Sequence, residues 1–89
     1  MNRVVRHITE GVAERHGVAF EDIVGCSRLK LHSHARQEAY YQVRQFDPKF
    51  YSFPQIARQF KRHHATVIYG INRHAERQQG KRIIKEKTG

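Results

Sequence analysis

The residues with the greatest capacity for polar recognition chemistry form one short run. In order along the chain they are Arg62, His63, His64, Ala65 and Thr66. They supply one cation, two imidazoles, a methyl group and a hydroxyl, which can address phosphates, purine acceptors and the thymine methyl group in a DNA major groove. An apolar helical pattern begins only at Val67, so we expect these five side chains to be exposed at the start of a helix.

A second, shorter helix is predicted just before this run. Ser52 and Gln55 have the spacing of a capping box, and Pro54 is tolerated in a first turn. The apolar stripe of this helix is Phe53, Ile56, Ala57 and Phe60. Residues 61–63 break the rhythm, which resumes at Val67, Gly70, Ile71 and Ala75. The sequence therefore predicts a helix-turn-helix at about 51–78, with its second helix ending at Gly80 and Gly70 allowing a close approach of its two helices.

The upstream half predicts further helices to support this unit. A helix from Asn2 to His16 carries an apolar stripe and ends at Gly17, and a helical turn follows at 20–25. A basic loop at 26–31 leads into a long helix that ends before Pro48. The residues predicted to be buried on that helix are Leu31, Ala35, Ala39, Val43 and Phe46. The predicted fold is all-α, a small single-domain bundle over 1–80 with a basic flexible tail at 81–89.

Charge narrows the class of partner. Seventeen Lys and Arg against eight Asp and Glu give a net charge of +9 and a pI near 10.3 over 89 residues. Such a field attracts polyanions, most commonly nucleic acid. Cys26 is the single cysteine, which excludes an internal disulfide and a cysteine-pair zinc site. We expect a cytoplasmic, nucleoid-associated protein with no cofactor, no metal, no membrane partner and no small-molecule substrate.

Residues 20–74 resemble the C-terminal DNA-binding domain of the bacterial replication initiator DnaA. That family ends a helix in Phe, passes a glycine turn and continues Arg-Asp-His-Thr-Thr-Val. Here residues 60–67 read Phe-Lys-Arg-His-His-Ala-Thr-Val, and residues 52–57 resemble the family's Ser-Leu-Pro-Glu-Ile-Gly. Residues 36–39 are similar to its Arg-Gln-x-Ala helix, and residues 28–30 stand where it has a basic loop. The resemblance implies a helical bundle like DnaA domain IV and the Trp repressor.

The resemblance also implies roles for individual residues. The base-reading positions are His63, His64, Ala65 and Thr66. Lys30 stands in place of an arginine that enters the adjacent minor groove. The phosphate or minor-groove contacts are Arg28, Lys30, Arg36, Lys61, Arg62, Tyr69 and Arg73. Three departures separate this chain from the family: the turn is one residue shorter with Lys61 in place of its glycines, and His63 and Ala65 replace an Asp and a Thr. The loss of that Asp removes an acceptor for cytosine amino groups and a good N-cap.

No Gly-rich phosphate loop precedes this segment, so ATP-driven helicase loading is not expected of it. The sequence predicts a freestanding sequence-specific binder of double-stranded DNA, not an enzyme, that acts as a DnaA-like regulator of replication or transcription. Its oligomeric state is left open.

Three alternatives remain. A basic module could bind nucleic acid without sequence preference, or could bind RNA or an acidic protein. His32 and His34 with Tyr40 and Tyr41 could form a single-strand nuclease, although residues two apart diverge on a helix. Seven histidines raise the possibility of zinc, but their spacings do not converge as ligands one helical turn apart would.

Overall fold

In a computed structural model the backbone is described for residues 1–88 and the side chains for residues 1–79. All regular elements in this part of the chain are α-helices: α1 (Arg3–His16), α2 (Phe20–Val24), α3 (Lys30–Phe46), α4 (Phe53–Phe60) and α5 (His64–Thr88). α3 is central, since α1, α2, α4 and α5 all pack against it. The predicted all-α class and the order of the helices are confirmed.

α1 is closed at both ends by local signals in the sequence. Asn2 caps its start, with the side-chain oxygen accepting from the Val5 N–H at 2.8 Å. Gly17 ends it in the left-handed conformation with φ of 68°, which glycine adopts without steric cost. The buried face of α1 is Val5, Thr9, Val12 and Ala13. The predicted first helix is therefore confirmed.

α3 contributes the middle of the core but not in the predicted register at its ends. Ala35, Ala39 and Val43 are fully buried, as the four-residue steps predicted. Leu31 and Phe46 were predicted to be buried and are 52% and 63% exposed, because they lie in the first and last turns, beyond the helices that pack on the middle of α3. The sequence analysis missed Tyr40, which is 1% exposed and packs edge-on against Phe60 with ring centroids 4.9 Å apart.

α4 and α5 form the predicted pair of helices. Ser52 caps α4, its hydroxyl accepting from the Gln55 N–H at 3.4 Å. The buried residues of α4 are Ile56, Ala57 and Phe60, as predicted.

α5 begins at His64 and packs on both α3 and α4. It continues past Gly80, where the sequence predicted its end, because a glycine costs a helix only about 1 kcal/mol and does not by itself stop one. The flexible tail predicted for 81–89 lies outside the residues whose side chains are described. In that part of the chain, no helix is both long and apolar enough to cross a bilayer.

Gly70 allows a close approach, but of α5 to α3 rather than to α4. A Cβ atom on Gly70 would lie 2.8 Å from Cδ2 of Tyr40 and 3.2 Å from Cγ of Gln37. The bare backbone at this position therefore sets the distance between α3, which begins at the basic loop, and α5, whose first turn is predicted to read bases.

Candidate nucleic-acid interface

The turn between α4 and α5 is a tight helix stop built around Lys61. Lys61 adopts the left-handed conformation with φ of 55°, the one positive φ of a non-glycine residue in the described backbone. The Lys61 N–H donates to the Arg58 carbonyl at 3.3 Å and the Arg62 N–H to the Ala57 carbonyl at 2.9 Å. This is the Schellman pattern, in which glycine is usual because other residues pay for a Cβ atom in this region. The geometry explains how a turn that lacks the family's glycines still forms.

The first turn of α5 is open to solvent. His63, His64, Ala65 and Thr66 are all exposed. The opposite face of the same helix is buried through Val67, Gly70 and His74. The four predicted base-reading residues are thus brought together on one exposed surface, at the end of the helix that carries a partial positive charge.

His63 supplies the cap that the departure from Asp was expected to remove. Its Nδ1 accepts from the Ala65 N–H at 3.1 Å, and its carbonyl accepts from the Thr66 N–H at 3.0 Å. A ring nitrogen that accepts carries no hydrogen, so the network places the hydrogen of the neutral ring on Nε2. The ring stacks on His64 with centroids 4.4 Å apart. His63 therefore offers a donor where an Asp would offer acceptors.

The loop between α2 and α3 carries the second group of predicted contacts. Arg28 and Lys30 are exposed, and Lys30 is the first residue of α3. Ser27 fixes the loop locally: its hydroxyl accepts from the Leu29 N–H at 3.3 Å and lies 2.7 Å from Nδ1 of His32. Two exposed cations are therefore presented from a loop whose backbone is held in place.

Arg36 and Arg62 were both predicted to hold phosphates, and the structure directs both towards protein carbonyls. The guanidinium of Arg36 donates to the carbonyls of Ile23, Asp22, Gly25 and Ser27 at 2.5, 3.0, 3.1 and 3.2 Å. Arg62 Nη2 donates to the Gly25 carbonyl, and Arg62 Nη1 lies 4.0 Å from Sγ of Cys26. Burial, with the nearby Arg62 adding to it, lowers the pKa of Arg36 from its ordinary value.

A cavity of about 230 Å³ lies between the loop and the first turn of α5. It is lined by Cys26, Ser27, Arg28, Ser33, Arg36, Tyr40, Arg62 and Thr66. The Tyr40 hydroxyl is buried, with no hydrogen-bond partner among the described side chains. Burial raises the pKa of this phenol, against the opposing effect of the guanidiniums of Arg36 and Arg62. The basic loop and the start of α5 therefore line one cavity and form neighbouring parts of one surface.

Residues 51–75 of the helix-turn-helix carry basic side chains and no acidic ones. No Asp or Glu occurs from residue 48 to residue 75. Residues 51–75 contain four cations, Arg58, Lys61, Arg62 and Arg73. Two further predicted contacts lie farther along α5: Tyr69 is 60% exposed, and Arg73 is exposed and paired with Glu76 at 3.3 Å.

The other histidines do not assemble a catalytic pair. His32 contacts Ser27 and lies 3.4 Å from the Asp22 carboxylate, whereas His34 faces a separate cavity with His16, Glu38 and His74. The two imidazoles therefore diverge, which gives no support to the nuclease alternative. Among the residues with described side chains, no group of three or more His, Cys, Asp or Glu is placed to hold a metal ion.

Comparison with known proteins places this geometry in a family. The family model described as "Bacterial dnaA protein helix-turn-helix" matches residues 5–73. The chain is 33% identical over 70 residues to the chromosomal replication initiator protein DnaA of Cereibacter sphaeroides and 36% identical over 70 residues to that of Ruegeria sp.. It is 34% identical over 77 residues to that of Magnetococcus marinus.

These matches cover 78%, 78% and 85% of this chain but only 15%, 14% and 17% of the respective relatives. No solved structure gives a significant match. The matched region contains α2, α3, α4 and the exposed first turn of α5. The chain belongs to the bacterial dnaA protein helix-turn-helix family, a family of DNA-binding domains.

Proposed function

We propose that this protein binds duplex DNA in a sequence-specific manner, with the start of α5 in the major groove. The observation that carries the proposal is the exposed first turn of α5, where His63, His64, Ala65 and Thr66 lie together in a stretch with no acidic residue from 51 to 75. A recognition helix places its N-terminal residues against base edges. A donor imidazole suits guanine and adenine acceptors, and the Ala65 methyl group suits the thymine methyl.

The basic loop would contact the neighbouring part of the duplex. Lys30 enters the adjacent minor groove, and Arg28 binds phosphate. Lys61, Tyr69 and Arg73 add contacts on the α5 side of the interface. These contacts fix the position of the domain, whereas the first turn of α5 reads sequence. The single-residue departures at His63 and Ala65 would give the domain a preferred sequence different from that of the family.

We propose further that the protein acts as a DnaA-like regulator of replication or transcription, in the cytoplasm at the nucleoid. The support is the family itself, together with relatives named as chromosomal replication initiator proteins. The chain spans about 15% of the length of those relatives.

The test of DNA binding is competition between duplex DNA and duplex RNA for a labelled DNA probe. Duplex DNA should compete more strongly, because the major groove of A-form RNA is too narrow for a helix. Equal competition would favour the nonspecific alternative. Arg28→Ala should make the plot of log affinity against log salt less steep by about 0.9 unit, the value for one lost phosphate contact. Lys49→Ala is the control, since it removes the same charge beyond the opposite end of α3.

A further inference from the structure

We propose that Arg62 is a positioning residue: it locks the basic loop to the start of α5, so that the minor-groove and major-groove contacts form as one rigid unit. This inference rests on the proposed function. It assigns to Arg62 a role other than the phosphate contact that its sequence position suggests. The same lock is completed from the opposite side by Arg36.

The position of Arg62 in the chain is the first argument. It directly precedes His63, the residue that caps α5, and its own N–H is held by the Ala57 carbonyl in the turn. Its guanidinium reaches back 37 residues to the carbonyl of Gly25. Arg62 therefore joins the capping residue of the recognition helix to the loop that presents Arg28 and Lys30.

Arg36, on α3, also donates a hydrogen bond to the Gly25 carbonyl. Its Nη2 donates to the Gly25 carbonyl at 3.1 Å, so this one oxygen accepts from both guanidiniums. Arg36 also donates to the carbonyls of Asp22 and Ile23. These carbonyls lie in the last turn of α2 and have no partner further along that helix. The partial negative charge of these carbonyls offsets the repulsion between two cations placed close together.

Gly25 is the third member of the lock. A Cβ atom there would lie 2.8 Å from the Glu21 carbonyl oxygen, a backbone atom of α2. An alanine would therefore displace the peptide that both guanidiniums hold. This substitution perturbs the lock without altering any charge, and it provides a variant that cannot be mistaken for the loss of a phosphate contact.

Rigidity matters because the two groups of contacts bind different grooves. If the loop moved independently of α5, each group would have to be ordered separately on the DNA, at a cost in affinity. With the loop held by Arg62 and Arg36, Lys30 reaches the minor groove once α5 is seated. The binding contributions of Lys30 and Arg62 should then depend on one another.

The experiment is a double-mutant cycle on a duplex that the wild-type protein binds. Affinities are measured for wild type, Lys30→Ala, Arg62→Ala and the double variant. We expect Lys30→Ala to weaken wild-type binding about tenfold and the Arg62→Ala background by less than about threefold, a coupling within the range for residues that act as a unit. Gly25→Ala should reduce the effect of Lys30→Ala in the same way.

The salt dependence separates positioning from direct contact. Arg62→Ala should change the slope of log affinity against log salt by less than about half of 0.9 unit, the value expected for one lost phosphate contact. The inference would be overturned if the effects of Arg62→Ala and Lys30→Ala were additive and Arg62→Ala made the salt dependence less steep by about 0.9 unit. Arg62 would then be a phosphate contact. Circular dichroism melts establish that each variant folds, and the Gly25→Ala cycle decides if Arg62→Ala does not.

The inference and the proposed function fail in different ways. If the wild-type protein binds no duplex more tightly than a random one, sequence-specific recognition fails before any cycle is measured. If it binds a preferred duplex and the cycle is additive, recognition stands and only the lock is refuted.

Discussion

Replacement of Gly70 by alanine tests the close approach that places α5 on α3. The added Cβ atom would lie 2.8 and 3.1 Å from Cδ2 and Cε2 of Tyr40. Carbon atoms pack best at about 3.5–4.0 Å, so one side must move by nearly 1 Å. Tyr40 cannot turn away easily, because it is 1% exposed and its ring packs edge-on against Phe60. We therefore expect α5 to be pushed away from α3.

The energetic effect follows from two opposing quantities. Overpacking of a core costs about 1–3 kcal/mol, whereas alanine in place of glycine within a helix gains about 1 kcal/mol. Gly11→Ala in α1 is the matched control, because nothing lies within 4 Å of its added Cβ atom. Both variants share the gain in helix propensity, so the difference between them isolates the steric cost, about 1–3 kcal/mol.

The assay is thermal unfolding followed by circular dichroism, paired with DNA affinity. Gly70→Ala should have a Tm at least about 4 °C below that of Gly11→Ala, since 1 kcal/mol shifts Tm by about 4–8 °C in a domain of this size. Its affinity for DNA should also fall, while Gly11→Ala binds as wild type does. Equal melting temperatures for the two variants would refute the packing of Gly70 on Tyr40.

Three further predictions concern the turn, the cap and pH. Lys61→Gly should raise the free energy of unfolding by about 1 kcal/mol in denaturant titrations, because glycine adopts the left-handed conformation without steric cost. It should also weaken DNA binding in a salt-dependent way. Lower stability would contradict the turn geometry. His63→Asp should keep the cap on the Ala65 N–H and raise Tm slightly. It should also shift the selected bases towards cytosine, whose amino group needs an acceptor. An unchanged base preference would mean that residue 63 does not read bases. Burial lowers the pKa of His74 below 6.5, so the unfolded chain takes up a proton first and stability is lost as pH falls below about 6.5. Tm should therefore drop between pH 7 and pH 5, and less steeply in His74→Gln; parallel profiles would show that His74 does not titrate with unfolding.

The features that sequence alone predicted are those with local signals. Ser52 caps α4 as predicted, because a side-chain oxygen three residues before a free N–H is a local arrangement. The stripe of α4 was predictable for the same reason, since neighbours three and four residues apart share a helix face. The exposure of the first turn of α5 followed from the position of Val67, where burial begins.

The features that sequence missed depend on contacts between distant residues. The hydrogen bond from Arg62 to Gly25 spans 37 residues, and those of Arg36 span 9 to 14. No periodic pattern records such pairs, so both arginines were interpreted as phosphate contacts. A partial signal existed for Arg36: it lies one turn before Tyr40, on the flank of the buried stripe of α3.

Two outcomes at the turn depended on backbone geometry rather than residue type. Lysine rarely adopts a left-handed conformation, so nothing in the residue types marked Lys61 as the helix stop. His63 is not a preferred capping residue, yet its Nδ1 reaches the Ala65 N–H. In both cases the tertiary packing of α4 and α5 decides the local conformation.

Selection of bound sequences from a random duplex pool tests the central claim most directly. The wild-type protein should enrich one motif, and His64→Ala should lose preference at one base position of that motif at a cost of about 1–3 kcal/mol. Lys49→Ala, as a control, should enrich the wild-type motif. An identical motif from wild type and His64→Ala, or no enrichment by the wild type, would contradict the assignment of the start of α5 as the sequence-reading surface.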